Sequence, residues 1–195
     1  MSGFSPNLNP VGSHVIPLVQ SLGLVGGPVL ELGAGMISTS LIHGMLFGTG
    51  RKIFTLEEHP SWVILARKYE NNYHQIRGSH GTPEEILEVM KEFEVPHWGV
   101  CLVDHELWNV DGNYERRKDV VRELRDKCDI LVVHDTEDFR FTKDSVWKEI
   151  DESFKYRWVY DEVLPSTTVL SNFVDVRRRK ASPLDAVGEQ AGKLS

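Results

Sequence analysis

Short apolar runs alternate along this chain with segments whose apolar residues recur every three or four positions. The runs at 98–103 and 130–133 are continuously apolar over strand length, and 29–33 is apolar but for Glu31, the mark of strands buried on both faces. Residues 52–56 and 74–77 read as two further strands, and 156–163 and 167–176 as a closing pair. Between them, helical periodicity predicts helices at 36–47, stopped near Gly48 and Gly50, from Pro60, from Thr82, and at 114–127. The inward stripes read as Trp62, Leu65, Ala66 and Tyr69; as Ile86, Leu87, Met90 and Phe93; and as Val120, Val121 and Leu124. A further helix, capped by Thr142, would bury Trp147, Ile150 and Phe154, and a short one is expected at 16–22. Thr82-Pro83-Glu84-Glu85 is the clearest helix start, with Thr82 as N-cap, Pro83 in the first turn and Glu85 completing a capping box.

Strand and helix alternate five times before the closing pair, whose short link at Pro165-Ser166 forces it to run antiparallel. The expected fold is α/β, Rossmann-like and doubly wound, with a mostly parallel seven-stranded sheet and a C-terminal antiparallel hairpin. In such sheets ligands sit beyond the carboxyl ends of the strands. Here those ends carry Glu31 to Gly35, Glu57, Ser79, His80, Asp104, His105, His134 and Asp135.

The first strand breaks into Glu31-Leu32-Gly33-Ala34-Gly35 and then a helix. A Gly-x-Gly turn lets backbone approach a ligand, and the helix start offers unpaired N–H donors. Glu57, 24 residues past Gly33 at the end of the next strand, is placed to accept hydrogen bonds from ribose hydroxyls. Turn and acid together point to a ligand containing a nucleoside.

Composition narrows the partners. A net charge of −7 argues against nucleic acid, and no apolar run spans a bilayer. The basic run of residues 177–180 reads as a solvated strand end. Two cysteines make no disulfide framework, so a reducing, cytoplasmic setting is expected, with Cys101 a core thiol. Residues 1–180 read as one domain and 181–195 as a flexible tail.

With these elements on the page, the chain resembles the class I S-adenosylmethionine-dependent methyltransferases over roughly residues 25–176. A nicotinamide-binding domain would prefer a third glycine where Ser38 stands and would lack the closing hairpin. The nearer likeness is to small catechol-type O-methyltransferases. Val103-Asp104-His105 matches that family's fourth strand end, and His134-Asp135 its fifth. The resemblance implies S-adenosylmethionine held by Glu31, Gly33, Gly35, Glu57, Ser79, His80 and Asp104, with Gly78-Ser79-His80 as a looser counterpart of the adenine loop. It also implies a divalent ion, Mg²⁺ or Mn²⁺, on Asp104 and Asp135. The chain departs from the family where its metal-binding Asn, catalytic Lys and adenine-stacking Trp fall on Thr136, Leu107 and Glu106. Trp108 is close enough to take over the stacking.

The expected reaction is therefore methyl transfer to a hydroxyl of a small acceptor, a sugar or a catechol-like phenol. A hydroxyl becomes nucleophilic through a positioned base or a metal that acidifies it. Asp104, His134 and Asp135 are the catalytic candidates, with His105 as an alternative base and Glu137 and Asp138 as further carboxylates nearby. His14 precedes the first strand and could fold over the pocket, although a histidine there is more often a surface residue. His43, His59, His74 and His97 lack paired metal-ligand spacing and read as structural or exposed. The rivals are a protein that binds S-adenosylmethionine without turnover, and a methyltransferase acting on a protein side chain.

Overall fold

The computed structural model describes residues 12–105, 115–136 and 145–177. Seven strands lie within them: β1 Val29–Leu32, β2 Ile53–Glu57, β3 His74–Gly78, β4 Trp98–Val103, β5 Cys128–His134, β6 Tyr156–Tyr160 and β7 Thr167–Ser171. They form one sheet in the order β3-β2-β1-β4-β5-β7-β6. The first five are mutually parallel, and β7 runs antiparallel to both β5 and β6. The expected fold is thus the observed one, with the last strand inserted inside the hairpin edge. The strand order reverses between β1 and β4, so the crevice typical of doubly wound sheets opens above those two strands.

Alternate residues of each strand feed two cores. One face packs α1 (Val15–Leu24) and α2 (Ser38–Leu46) through Leu18, Leu22, Ile42 and Leu46 on Val29, Val100, Leu102, Ile130 and Val132. The other packs α4 (Pro83–Glu92), α5 (Glu115–Leu124) and α6 (Ser145–Glu152) on Leu30, Leu32, Cys101, Val103, Leu131 and Val133. Val120, Val121 and Leu124 of α5, and Trp147, Ile150 and Phe154 in and after α6, are buried as the periodicity predicts. The capping box forms: Thr82 Oγ1 accepts from the Glu85 N–H, and Glu85 accepts from the Thr82 N–H. Both cysteines are free and buried. Among the described residues no helix is long and apolar enough to cross a membrane.

Two stripes need correction. In α3 (Pro60–Ala66) the inward residues are Val63 and Ala66, packed with Ile76, whereas Leu65 is 41% exposed. The helix lasts only seven residues before a 3₁₀ turn, so one i, i+3 pair covers its whole contact. Trp62, Leu65 and Tyr69 instead line a surface cleft of about 190 Å³ beside Gly35 and Met36. In α4 the buried stripe is Ile86, Val89 and Met90, while Leu87 and Phe93 are partly exposed. Phe93 still meets Phe54 of β2 in a tilted ring contact, with centroids 4.9 Å apart. The closing strands are also shorter than the apolar runs that predicted them, pairing only over Tyr156–Tyr160 and Thr167–Ser171. Leu107, Trp108 and the rest of 106–114, Glu137, Asp138, Thr142, residues 178–180 and the tail 181–195 lie outside the described residues.

Candidate active site at the strand tips

Gly33 marks the floor of the site. Its φ is +87°, and a Cβ there would stand 2.2 Å from the backbone oxygen of Asp104. Only glycine allows the β1 turn to lie this close to the tip of β4. The Gly33 N–H donates to Leu56 O, and Asp104 N–H to Leu32 O, which locks the two tips in register.

Two carboxylates shape the turn from behind. Glu57 accepts from the Ala34 N–H through Oε2 and from the His59 N–H through Oε1, both at 2.6 Å. A carboxylate has about four acceptor positions, so these bonds orient Glu57 and leave it capacity for hydroxyl donors. Burial raises its pKa, opposed by the same two backbone donors. Glu31 is fully buried, and its oxygens accept from Thr39 Oγ1 at 3.0 Å and Thr55 Oγ1 at 2.7 Å. Thr39 Oγ1 in turn accepts from the Gly35 N–H at 3.0 Å. Glu31 therefore reaches the glycine turn through Thr39 and acts on its geometry.

Farther along, the Ser79 N–H donates to Glu57 O, and Ser79 Oγ accepts from the Gly81 N–H at 3.0 Å. His80 is exposed, its Nδ1 3.1 Å from Glu58 Oε2, which also accepts from Arg116 Nη1 at 2.8 Å. Turn, acid and loop thus follow one another along the strand tips, from Gly33 past Glu57 to Ser79. His105, next to Asp104, is buried, and burial beside Arg117 lowers its pKa to about 3. It stays neutral and lies against Gly81, where a Cβ would stand 3.4 Å from its ring.

On the other side of Gly33 the tips of β4 and β5 carry Asp104 and His134. His134 Nδ1 is 3.1 Å from Asp104 Oδ1, and Nε2 is 2.8 Å from Ser13 Oγ. Burial would raise the Asp104 pKa, but its hydrogen bond and attraction to His134, with Arg117 beside it, hold it below the usual carboxylate range. Asp104 is therefore an acceptor, so Nδ1 carries the proton and Nε2 presents its lone pair to the Ser13 hydroxyl. For His134, burial lowers the pKa, but the Asp104 hydrogen bond and the charges of Asp104 and Asp135 outweigh it and raise the value above 6.5.

Asp135 sits at φ +59°, an uncommon backbone state for a non-glycine residue, with Oδ1 3.3 Å from His134 Nδ1. Arg117, only 3% exposed, spans the pair: Nη2 is 3.5 Å from Asp104 Oδ1 and Nη1 is 3.4 Å from Asp135 Oδ2. It also donates to His134 O at 3.0 Å and, through Nε, to His105 O. The two aspartates converge as the sequence suggested, but on a guanidinium and an imidazole. A hard divalent ion shared by Asp104 and Asp135 does not fit that arrangement. The family's Asn position, Thr136, is buried and bonded to Thr168 Oγ1 at 2.8 Å, so it braces the hairpin.

Arg117 escaped the sequence reading because it lies in the basic stretch Arg116-Arg117-Lys118. Its signal was position: it precedes Val120 and Val121 by three and four residues, on the inward face of α5. Replacing Arg117 with Leu should cost about 2 kcal/mol, because Asp104, Asp135 and two carbonyls lose their donor. Urea unfolding at neutral pH checks this; an unchanged midpoint would reduce Arg117 to a bystander. Ser13 also went unread, since it lies 121 positions from its partner in a segment without periodicity.

No protein-family model matches the sequence, and no curated protein matches it. Solved structures do. Human methyltransferase-like protein 13 in complex with SAH is similar over 90% of this chain and 85% of its own, at 15% identity and a TM-score of 0.57. An O-methyltransferase from Bacillus cereus in complex with SAH aligns over 82% of this chain and 78% of its own, at 12% identity and a TM-score of 0.56. A spermidine synthase in complex with a transition-state analogue aligns over 83% of this chain at 13% identity and a TM-score of 0.55, and this chain covers 59% of that one. At such identities the likeness establishes the fold, and the fold is that of the S-adenosylmethionine-dependent methyltransferases.

Proposed function

We infer that this chain is an S-adenosylmethionine-dependent O-methyltransferase acting on a hydroxyl of a small acceptor, a sugar or a catechol-like phenol. The observation that carries the reading is the Asp104–His134–Ser13 chain beside Gly33, which already holds a hydroxyl 2.8 Å from an imidazole nitrogen. When bound, S-adenosylmethionine supplies an electrophilic methyl group. Gly33 and Gly35 admit its amino-acid end, and Glu57 receives the ribose hydroxyls. His134 Nε2 takes the acceptor's hydroxyl proton as the new C–O bond forms, and Asp104 stabilises the resulting imidazolium. The Ser13 hydroxyl marks the place the acceptor's oxygen occupies, and Arg117, paired with Asp135, helps hold the Asp104 carboxyl ionised. The rest is positioning: the nucleophile must lie in line with the breaking bond. The Mg²⁺ or Mn²⁺ that the resemblance implies on Asp104 and Asp135 is no part of this reading, since Arg117 and His134 lie between the two carboxylates.

Transfer of a radiolabelled methyl group across a panel of sugars and phenols tests the activity. Incorporation into a hydroxyl is expected. Cofactor binding with no transfer to any hydroxylated acceptor would favour a protein that binds without turnover. Transfer only to protein side chains would replace the acceptor class. Glu57→Ala should weaken S-adenosylmethionine at least about tenfold, roughly 1.4 kcal/mol. Equal affinity by calorimetry would remove Glu57 from the site.

A further inference from the structure

His14 is the residue the proposed reaction does not use. It occupies the N-cap position of α1 without a side-chain cap bond, is 7% exposed, and stands edge-on to His134 with ring centroids 4.8 Å apart. Among the described residues neither of its ring nitrogens has a hydrogen-bond partner. A neutral imidazole always presents one donor and one acceptor, and leaving both buried and unpaired is costly. Its surroundings are not apolar: one ligand atom each from His14, Asp104 and His134 lies within 4.8 Å of the others.

We propose that His14, Asp104 and His134 form a binding site for one divalent first-row transition ion of the Zn²⁺ type. Two imidazoles and one carboxylate suit ions of borderline softness, whereas Mg²⁺ prefers oxygen alone. The three ligands come from the segment before β1, the tip of β4 and the tip of β5, so the ion clips the start of α1 onto the sheet. Ser13 serves the site from outside. With His134 bound through Nδ1, its Nε2–H donates to Ser13 Oγ, the partner that fixes a ligating histidine's tautomer. The site is distinct from the carboxylate pair on Asp104 and Asp135, because it takes two nitrogen donors and leaves Asp135 to Arg117, whose 3.5 Å contact to Asp104 stays outside the ligand set. Loading converts His134 from base to ligand, so the metal-bound and base-ready forms are alternatives.

The test uses the full chain, stripped with chelator and titrated with Zn²⁺ without S-adenosylmethionine or acceptor. Its failure is thereby separate from failure of the methyltransferase reading. One equivalent is expected to bind and raise the melting temperature. Co²⁺ should bind in the same ratio and give visible d–d bands. His14→Phe should weaken Zn²⁺ at least about 100-fold, more than loss of an outer partner costs, and Ser13→Ala about tenfold. Asp135→Asn, which removes a neighbouring charge but no ligand, should weaken binding far less than His14→Phe. Absence of stoichiometric binding, equal binding by His14→Phe, or a loss in Asp135→Asn as large as in His14→Phe would each overturn the site. Should His14→Phe not fold, the wild-type Co²⁺ form decides by NMR. The largest paramagnetic shifts must fall on His14 and His134, and their appearance on other histidines refutes the assignment.

Discussion

Replacing His134 with Gln should lower kcat for methyl transfer roughly 10²- to 10⁴-fold, the usual contribution of a positioned general base. Cofactor affinity should hold, because His134 lies on the acceptor side of Gly33. The sharper form of this result is its pH dependence. The imidazole works as a base only when neutral, so kcat rises with pH through the His134 pKa. That pKa stands above 6.5 because the Asp104 hydrogen bond and charge outweigh burial. Asp104→Asn removes the charge that favours imidazolium, so the rising limb must move to lower pH. The variant also loses rate at its plateau, since an amide no longer fixes the proton on Nδ1. Steady-state kinetics between pH 5 and 9, in metal-free buffer, read both effects. A limb that stays put in Asp104→Asn would show that some other group titrates.

The sequence made the fold legible because its strands are buried on both faces. Runs such as Val100-Cys101-Leu102-Val103 have no solvent-facing alternation, and only helices on both sides can cover them. The spacing of Gly33 and Glu57 likewise carried the meeting of acid and turn, where Glu57 accepts from the Ala34 N–H, since one helix fixes the distance between adjacent parallel strand ends. What stayed hidden depends on contacts between distant segments. Insertion of β7 between β5 and β6 leaves no local mark, and neither does the approach of Ser13 to His134. Arg117 was written in the right stripe but in a charged residue type, which periodicity discounts. His14 was visible only as a histidine near the first strand; its burial against His134 comes from α1 crossing β4 and β5. In α3 the opposite error arose, where aromatic residues drew the stripe to Trp62 and Tyr69 although a seven-residue helix touches the sheet at Val63 and Ala66.

The resemblance implies Glu31 as a cofactor ligand, and the surroundings of its buried carboxylate make the second large prediction. Thr55 Oγ1, which donates to Glu31, is 2.8 Å from His74 Nε2; His74 Nδ1 is 3.1 Å from His43 Nδ1; and His43 Nε2 is 2.8 Å from the Tyr73 hydroxyl. Each member of this chain can both donate and accept, so it can run in either direction. With Glu31 ionised the donors point inward from Tyr73; with Glu31 protonated they point outward. Burial raises the Glu31 pKa to about 7, against the pull of the Thr55, Ser38 and Thr39 hydrogen bonds. Burial, with the His43 charge, lowers that of His74 to about 4.

An acid with a raised folded pKa loses stability as pH rises from its unfolded pKa to its folded one, here 4.5 to about 7. A histidine with a depressed folded pKa loses stability as pH falls from 6.5 to about 4. Each swing amounts to roughly 3 kcal/mol, and between about pH 4.5 and 6.5 the slope of Glu31 opposes that of His74. Glu31→Gln keeps the donor pattern of the protonated acid, since its amide can donate to Thr55 while Thr55 donates to His74. The variant removes one slope and exposes the other. Its stability should climb with pH more steeply than the parent's from about pH 4.5 to 7, the slope that the buried His105 adds being common to both. Relative to the parent, it should gain roughly 3 kcal/mol by pH 7 and nothing further above it. Urea melts at half-unit intervals from pH 4.5 to 8 measure the difference. Parallel curves for the two proteins would mean that Glu31 ionises in the fold as it does in the unfolded chain, and that the relay to Tyr73 carries no proton.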